Sequence, residues 1–343
     1  MISKATDSVT NSSLGVGGIK VGIIGGAGYT GGELIRILIN HPNVTIVFVN
    51  SKSSAGKPLH SVHHDLLGET ELMFSAELSN EIDVLFLCVG HGDARKFLES
   101  NEVAEHVKII DLSQDFRLKE NATFGNRQFV YGLVEFNRKN IIEAKNIANP
   151  GCFATAIQLG LLPLTNSTGL YRNECFTTGI TGSTGAGQSL TPTSHFSWRA
   201  NNVQAYKVLS HQHVFEIHET LNSCSNWGNA DIKFIPYRGD FTRGIYITTA
   251  IHNGGEFDNS IEEYKNYYKD CPFVTISDTP IDLKQVVNTN KCLIYIEFSE
   301  NDLIIHSVID NLLKGASGQA VQNMNLMFGL HETTGLKLKA IGF

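Results

Sequence analysis

The stretch "IKVGIIGGAGYTGGELIRILINHP", residues 19–42, constrains the fold more than any other part of the chain. "KVGII" is short, apolar and rich in β-branched residues, which predicts a buried parallel strand. The glycines that follow predict a tight turn, and "GGELIRILIN" predicts a helix that ends before Pro42. A strand, a glycine turn and a helix in this order predict the first part of a βαβ unit.

The rest of the chain divides into two regions of different texture. "NVTIVFVNS", "EIDVLFLCVG" and "KIIDLS" predict three more strands, which gives a doubly wound α/β sheet over roughly residues 19–149. "RNECFTTGITGSTGAG", "DIKFIPYRGDFTRGIYITTAIH", "FVTISDT" and "KCLIYIEFSENDLIIHSVID" predict a mostly antiparallel sheet in a second, α+β domain from residue 150. "NLLKGASGQAVQNMNLMFG" predicts a final helix, and the polar residues 1–18 predict a flexible leader.

Composition excludes several classes of function. A formal charge of -7 gives no general attraction to nucleic acid or to an anionic membrane. No window of the sequence is apolar for long enough to predict a membrane-spanning helix. The six cysteines include no C-x-x-C pair, so the sequence predicts reduced thiols, a cytoplasmic location and no metal site.

The glycine turn of the first unit predicts a nucleotide site. Glycines allow a close approach to a pyrophosphate, and the helix N-terminus offers unpaired N–H groups and a partial positive charge. The position between the first strand and the first helix is the required context, and the alternative is a glycine turn without a ligand. The predicted cofactor residues of this turn are Gly25, Ala27, Gly28, Tyr29, Thr30 and Gly31.

The residues after the second strand indicate which dinucleotide binds. "NSKSSAGK", residues 50–57, has hydroxyls and lysines but no carboxylate. A carboxylate would favour NAD, whereas Ser51, Ser53 and the lysines suit a 2′-phosphate because they donate hydrogen bonds and positive charge. We therefore predict NADP(H), and the alternative is a solvated polar loop.

Cys152 is the predicted nucleophile. It follows the turn "NPG" and opens the apolar run "FATAIQLGLLPL", so we expect it at or just before a helix N-terminus. A helix dipole there favours the thiolate and lowers the pKa. A thiolate forms a thioester, which hydride can reduce. The alternative is a small core residue, the usual role of a lone cysteine and the one we assign to the other five.

"YKVLSHQHVFEIH" supplies the candidates for proton transfer and substrate contact. If this segment is extended, the His-x-His spacing directs both imidazoles to one side. We predict His211 as the acid/base, with His213, Glu216 and Tyr206 as substrate or orienting groups, although either histidine can fill the first role. A zinc site is the rival interpretation, but no third ligand of matching spacing is nearby.

Two further segments are candidates for an anionic substrate. "GSTGAGQS", residues 182–189, is a second glycine turn whose backbone donors, including that of Gly185, could hold a phosphate or an oxyanion. "DLSQDFRL" places Ser113 and Arg117 after the fourth strand, where doubly wound sheets bind ligands. Arg238 and Arg243 are candidates for carboxylate or phosphate contacts, or else are ion-paired or on the surface.

Together, "GIIGGAGYTGGEL", "DLSQDFRL", "YGLVE", "NPGCFAT", "GSTGAG", "HQHVFEI" and "DNLLKGASGQAVQNMNLMFG" resemble N-acetyl-gamma-glutamyl-phosphate reductases from about residue 20 to residue 343. Several of these motifs also occur in aspartate-semialdehyde dehydrogenases. The resemblance implies an NADP-binding Rossmann domain, 19–149 with 311–343, and a glyceraldehyde-3-phosphate-dehydrogenase-like catalytic and oligomerisation domain, 150–310. It also implies that the helix from Asn311 to Gly329 packs on the cofactor domain.

The same resemblance implies the third step of arginine biosynthesis, in the cytoplasm, by a homotetramer or homodimer with a small acyl-phosphate substrate and neither nucleic acid nor membrane as partner. It places the nucleophile at Cys152, and further cofactor contacts at Gly90, His91, Ser183 and Asn311. The sequence departs from the family pattern in Gly90, Phe153 and Val134, and by one residue fewer between Tyr206 and His211. Reduction of N-succinylglutamyl or aspartyl phosphate, and a non-catalytic NADP-binding sensor, are the alternatives.

Overall fold

Two β-sheets organise the chain in the computed structural model. The structure describes residues 18–166, 174–224, 227, 231–252, 260–299 and 301–342. The predicted leader, residues 1–18, lies outside the described residues except for Gly18. Within the described part, no helix is both long and apolar enough to cross a membrane.

The first sheet has the order β3-β2-β1-β4-β5-β8-β7-β6, and its neighbouring strands are parallel except for the β6–β7 pair. Its strands are β1 (Ile19–Ile24), β2 (Val44–Asn50), β3 (Phe74–Ser75), β4 (Val84–Leu87), β5 (Lys108–Asp111), β6 (Thr123–Phe124), β7 (Arg127–Tyr131) and β8 (Asn146–Ala148). Strands β2 and β4 lie on opposite sides of β1, so the strand order reverses there and a crevice opens at the carboxyl end of β1.

The four predicted strands, β1, β2, β4 and β5, are confirmed. The sequence analysis missed the other four strands of this sheet. They have two to five residues, too few for a periodic pattern, and pairing with their neighbours defines them instead.

Eight α-helices are present in the described residues. They are α1 (Tyr29–Leu38), α2 (Asp93–Ser100), α3 (Val134–Glu143), α4 (Cys152–Leu161), α5 (Phe196–Arg199), α6 (His213–Asn222), α7 (Ser260–Tyr268) and α8 (Gly318–Met327). A π-helical turn, Leu313–Ser317, leads into α8. Val321 and Met324 of α8 share a buried cluster with Leu34 of α1 and Ile141 of α3, so this helix packs on the first sheet layer as the resemblance implied.

The second sheet has the order β10-β11-β9-β12-β15-β14-β13. Its strands are β9 (Cys175–Thr181), β10 (Gln204–Ala205), β11 (Ile232–Arg238), β12 (Ile245–His252), β13 (Val274–Ser277), β14 (Cys292–Ser299) and β15 (Asp302–Ile309). Four of its six strand pairs are antiparallel, which confirms the predicted character of this half.

Helix α4 covers one face of the second sheet. Every residue of α4 after Cys152 is buried, which explains the uninterrupted apolar run of the sequence. Phe153 and Leu159 of α4 pack with Phe234, Ile247 and the rest of the sheet core. The opposite face is more open, because side chains alternate along each strand. Thus α4 runs from the last inner strand of the first sheet, β8, onto the second sheet, and its first residue lies between the two.

Candidate active site

Cys152 is the first residue of α4, as predicted from the sequence. Gly151 is the N-cap residue, with extended backbone angles, and its carbonyl accepts hydrogen bonds from the N–H and hydroxyl of Thr155 at 2.8 and 3.1 Å. These bonds fix the start of the helix. The cysteine is half-buried and is held at the boundary of the two sheet layers.

The π-helical turn approaches Cys152 closely. A Cβ atom placed on Gly315 would lie 2.8 Å from Cys152 Cβ, so a larger residue does not fit there. Asn149 Nδ2 donates to Ala316 O at 3.1 Å and joins the turn to the segment before the cysteine. The sequence analysis did not select Gly315; the glycine inside the predicted last helix was the available signal.

Glu216 anchors the start of α4. Its buried carboxylate accepts hydrogen bonds from Gly151 N at 3.1 Å, Tyr131 Oη at 2.7 Å and Arg117 Nη1 at 3.1 Å. Tyr131, which the sequence analysis quoted only within "YGLVE", is therefore part of the same cluster. Glu216 thus holds the N-cap of the helix that carries Cys152, and its role toward the substrate stays a prediction.

Two side chains predicted to bind substrate, those of Arg117 and Ser113, form hydrogen bonds within the protein. Arg117 donates from Nε to Asn149 O at 2.9 Å and from Nη2 to Leu112 O at 3.1 Å, in addition to its bond with Glu216. The buried hydroxyl of Ser113 donates to Asp111 at 2.8 Å. Three of the five N–H groups of Arg117 are thus used inside the protein. Contact of either side chain with a substrate stays a prediction.

His211 and His213 lie side by side, with ring centroids 4.6 Å apart. The extended backbone, under which the His-x-His spacing would direct both rings to one side, does not occur, because His213 begins α6 and Gln212 already has helical backbone angles. The rings come together because His211 Nδ1 accepts the backbone N–H of His213 at 3.2 Å. Both rings also contact the edge or face of Phe153, at centroid distances of 5.5 and 6.3 Å.

Both imidazoles are neutral near physiological pH. Burial lowers the pKa of His211 to about 4, with smaller contributions from the positive charges of Lys207 and Arg238. Burial, and then Arg117, lowers the pKa of His213 well below its usual value. Because Nδ1 of His211 accepts a hydrogen bond, its proton is on Nε2, and the ring presents a donor there. The buried Nδ1 of His213 has no hydrogen-bond partner among the described residues.

The predicted lowering of the Cys152 pKa is wrong. The pKa of the Cys152 thiol is raised to about 11, chiefly by burial and in part by the carboxylate of Glu216, against the opposing effects of Arg117 and of two backbone N–H groups. Loss of hydration on burial is thus the largest influence on the pKa of this thiol in the free protein. The resting group is a thiol, which must lose its proton when it reacts.

Tyr206 borders the two histidines. Its ring centroid is 5.7 Å from that of His211, and the guanidinium of Arg238 lies 4.7 Å from the centre of the Tyr206 ring. Burial raises the pKa of Tyr206 to about 12, with a further contribution from the nearby Cys152. Between Tyr206 and His211, Lys207 and Leu209 have positive φ angles of 46° and 55°. Non-glycine residues rarely adopt such angles, so this short loop is strained.

The first glycine turn has the geometry of a dinucleotide site. Gly25 has a φ of 77°, and Cβ atoms on Gly25 or Gly31 would overlap the turn's own backbone or that of Cys88. No side chain among the described residues caps α1, so the N–H groups of Tyr29, Thr30 and Gly31 stay available. The buried His63 stabilises this turn, because its Nε2 donates to Gly26 O at 2.8 Å. The sequence analysis missed this contact.

Four of the other predicted cofactor residues follow β2 and β4, the two strands that flank β1. Ser51 follows β2, and its Oγ is 3.4 Å from that of Ser53, while the lysines of this loop are exposed. Gly90 and His91 follow β4, and Nδ1 of His91 accepts the N–H of Gln114 at 3.2 Å. His91 lines a cavity of about 500 Å³ whose wall includes Arg117 and Glu216. The cavity thus extends from the end of β4 to the ion pair of Arg117 and Glu216, which holds the start of α4.

The second glycine turn does not supply the predicted free donors. It forms a 3₁₀ turn over Ser183–Ala186 after β9. Five of its N–H groups donate to backbone carbonyls of the protein. They are those of Gly182, Ser183, Thr184, Gly185 and Gly187. The prediction of a backbone cradle for phosphate at this turn is therefore wrong, because the 241–244 segment and the turn itself use these donors.

Asn311 joins this turn to the strand ends of the second sheet. Its Nδ2 donates to Thr184 Oγ1 at 3.0 Å, and its Oδ1 accepts the N–H of Gly244 at 2.7 Å. The structure thus brings the predicted residues Ser183, Gly185 and Asn311 into one cluster. No group of three or more possible metal ligands occurs in the described part of the chain.

Comparisons with known proteins agree with this architecture. Residues 20–144 match the family "Semialdehyde dehydrogenase, NAD binding domain", and residues 152–311 match "Semialdehyde dehydrogenase, dimerisation domain". Aspartate semialdehyde dehydrogenase II from Vibrio cholerae, solved with ASA, has a TM-score of 0.68 at 15% identity and covers 91% of this chain and 98% of its own. The NADP-bound enzyme from Candida albicans has a TM-score of 0.63 at 16% identity, with 91% and 98% covered. These likenesses show the fold.

Relatives at higher identity show the family. An N-acetyl-gamma-glutamyl-phosphate reductase of Phocaeicola vulgatus is 56% identical over 326 residues, which are 95% of this chain and 100% of the relative. One of Flavobacterium johnsoniae is 54% identical over 325 residues, with the same shares covered. Because this identity extends across both sheets and the cluster around Cys152, the chain belongs to the N-acetyl-gamma-glutamyl-phosphate reductase family.

Proposed function

We propose that this chain reduces N-acetyl-γ-glutamyl phosphate to N-acetylglutamate 5-semialdehyde and phosphate with NADPH, the third step of arginine biosynthesis from glutamate. The observation that carries the proposal is the position of Cys152. It begins a helix between a dinucleotide-binding sheet and a pair of neutral histidines, in a chain 56% identical to a reductase of that name. A thiol in this position can form the thioester that hydride reduces.

The residues present fit NADPH. The free N–H groups at the start of α1 and the close approach that glycine permits suit the pyrophosphate. Ser51, Ser53 and the exposed Lys52 suit the 2′-phosphate, and no carboxylate lies among residues 50–57. Gly90, His91, Ser183 and Asn311 lie at the strand ends that face the site and are proposed to hold the nicotinamide side. When bound, NADPH supplies the hydride.

The nucleophilic step belongs to Cys152. As the bond from Sγ to the acyl carbon forms, the bond from that carbon to the phosphate oxygen breaks and phosphate leaves with the electron pair. The thiol proton needs an acceptor, and we propose His213, whose Nδ1 has no hydrogen-bond partner among the described residues. Arg238 and Lys207, whose charges lower the pKa of His211, are the cations proposed to attract the phosphate in place of the second glycine turn.

His211 is proposed to act as the donor. Its Nε2–H can hydrogen-bond the oxygen that becomes negative when the thioester is reduced, because Nδ1 is already used by the backbone. The hemithioacetal then collapses as its C–S bond breaks with the electron pair going to Sγ. The aldehyde leaves, and Cys152 takes back the proton held by His213. This assignment separates the two histidines, which the sequence alone did not.

A substitution at His211 tests that role. We expect His211→Ala to lower kcat by about 10²–10⁴-fold, the usual value of a positioned acid or base. His211→Gln should retain more activity, because its amide N–H can replace Nε2–H. Alkylation of Cys152 should be unchanged in both variants. Equal losses in the two variants, or a wild-type kcat in His211→Ala, would contradict the donor role.

The reaction itself is tested most directly in reverse. Purified protein with N-acetylglutamate semialdehyde, phosphate and NADP⁺ should produce NADPH absorbance, and the signal should vanish without phosphate. N-succinylglutamate and aspartate semialdehydes, assayed in parallel, rank the alternatives. If none of the three semialdehydes gives NADPH absorbance although the protein binds NADPH, the result would favour the non-catalytic sensor and reject the proposal.

The assembly, location and domain limits predicted from the sequence are kept as proposals. A homodimer or homotetramer is supported by the match of residues 152–311 to a dimerisation domain and by exposed apolar side chains such as Phe176, which is 57% exposed on β9. We propose a cytoplasmic location, a cofactor domain of residues 19–149 with 311–343, and a catalytic domain of residues 150–310.

A further inference from the structure

Arg243 connects the two halves of the proposed cofactor site. It lies between β11 and β12 of the second sheet, and its side chain is 19% exposed. Nη1 and Nη2 donate to the two carboxylate oxygens of Glu33 at 2.8 and 3.1 Å. Nε and Nη2 donate to the two oxygens of Asp310 at 3.0 and 3.1 Å. One guanidinium thus makes two paired contacts, one with α1 and one with the segment before the π-helical turn.

The Asp310 contact reaches the segment that carries Asn311. Asp310 is fully buried and accepts the N–H groups of Leu312, Leu313 and Asn288 at 2.8, 3.1 and 2.7 Å. It therefore caps the start of the π-helical turn that packs against Cys152. A carboxylate with this many donors has little freedom to move, so Arg243 is bound to a rigid element.

The backbone around Arg243 holds the second glycine turn. Thr242 O accepts the N–H and the hydroxyl of Thr184 at 3.1 and 2.6 Å, and Phe241 O accepts the N–H of Ser183 at 2.8 Å. Gly244 has a φ of 115°, which only glycine adopts easily, and this sharp turn directs its N–H to Asn311 Oδ1. The segment with Arg243 is therefore the scaffold for both Ser183 and Asn311.

The Glu33 contact reaches the first glycine turn. Glu33 belongs to α1, whose first residues carry the free N–H groups, and its side chain is 9% exposed. Arg36 also contacts Glu33, at 3.1 Å, but its other partner is Asp65, close to the same helix. Arg243 alone of these two arginines joins α1 to the second sheet.

We propose that Arg243 is a positioning residue for NADPH: it holds the first glycine turn and the Ser183–Asn311 cluster at the separation that one dinucleotide spans. The inference rests on the proposed use of NADPH. Four of the five N–H groups of Arg243 are occupied by Glu33 and Asp310, so its effect is indirect. Without the guanidinium, two buried carboxylates would face each other across the boundary and the halves would separate. NADPH would then have to reorganise the site as it binds, which weakens affinity.

The test compares Arg243→Met with Arg36→Met, which removes the other ion pair of Glu33. NADPH Kd is measured by fluorescence titration of the free protein, and KM for the acyl phosphate and kcat are measured at saturating NADPH. Arg243→Met should raise the NADPH Kd by about tenfold or more, within the range of typical coupling between sites, and leave kcat and the acyl-phosphate KM near wild type. Arg36→Met should leave the NADPH Kd unchanged.

Other outcomes would overturn the inference. A wild-type NADPH Kd in Arg243→Met, even with a lower melting temperature, would assign the residue to stability alone. Equal shifts in the two arginine variants would place the effect in α1, and a parallel rise of both Kd and the acyl-phosphate KM would indicate general damage to the site.

Glu33→Gln keeps the test decisive if Arg243→Met does not fold. This variant weakens the same contact without removing the guanidinium, and it should raise the NADPH Kd several-fold; an unchanged Kd would reject the inference. The double variant of Arg243→Met and Glu33→Gln should bind NADPH no more weakly than Arg243→Met alone. Both substitutions remove the same contact between Arg243 and Glu33, so their effects should not add. Failure of the wild-type protein to bind NADPH would instead reject the proposed cofactor.

Discussion

Cys152→Ala should abolish turnover, with a loss of at least about 10⁴-fold in kcat, because no other group in the cluster can form the thioester. Both the forward reaction with the acyl phosphate and the reverse, phosphate-dependent reaction should be lost. NADPH binding should be retained, since Cys152 is not in either glycine turn. A variant that binds NADPH and still reduces the acyl phosphate would reject covalent catalysis by Cys152.

The protonation state of Cys152 gives a second readout of the same residue. Burial raises the pKa of this thiol to about 11, so the free enzyme holds little thiolate near neutral pH. Alkylation by iodoacetamide should therefore be slow there and rise about tenfold with each pH unit, as the thiolate fraction increases. Cys152→Ala supplies the background from the half-buried Cys224 and Cys271. Rapid alkylation that is independent of pH near neutrality would contradict the raised pKa.

Glu216→Ala should cause the largest loss of stability among the site residues. It leaves the guanidinium of Arg117, a residue that is 7% exposed, buried without its counter-charge, and it removes the acceptor of Tyr131 and of Gly151 N. Removal of one partner from a buried ion pair typically costs about 3–5 kcal/mol of unfolding free energy. Chemical denaturation of the variant without ligands measures this loss.

Glu219→Ala is the matched control on the same helix. Glu219 lies one turn after Glu216, and its carboxylate accepts the backbone N–H of Lys119 at 3.0 and 3.1 Å in an exposed contact. Its removal should cost about 1 kcal/mol, the value of an ordinary hydrogen bond. A loss in Glu216→Ala no larger than in Glu219→Ala would show that the buried cluster does not stabilise the start of α4.

Much of the fold was readable from the sequence, because it depends on short-range patterns. The apolar runs of β1 and α4 predicted buried elements, and Pro150 and Gly151 predicted where α4 begins. The short strands β3, β6, β7 and β8 were not readable. Their residues pair because neighbouring strands are already in place, and no local signal reports that.

The sequence predicted which residues form the candidate site better than it predicted how they are arranged. The sequence singled out Cys152, His211, His213 and Glu216, and the structure brings them together. The His-x-His spacing predicts that both rings point to one side if the segment is extended, whereas the structure has a helix start there. The donors that the sequence assigned to the second glycine turn are hydrogen-bonded to carbonyls of the 241–244 segment and of the turn itself. Tyr131, His63 and Gly315 carried only weak signals, because their importance lies in contacts with residues far along the chain.

The sequence by itself determined the two sheet regions, the first glycine turn, the start of α4 and the membership of a reductase family, since periodicity, turn residues and ordered motifs are local properties. Only the tertiary structure decided that Cys152 rests as a thiol, that both histidines are neutral, and that Arg243 joins α1 to Asp310 instead of binding an anion. The physical reason is common to all three. A pKa and an ion pair are set by burial and by charges that the fold brings from distant parts of the chain, and those distances are not written in any single stretch of sequence.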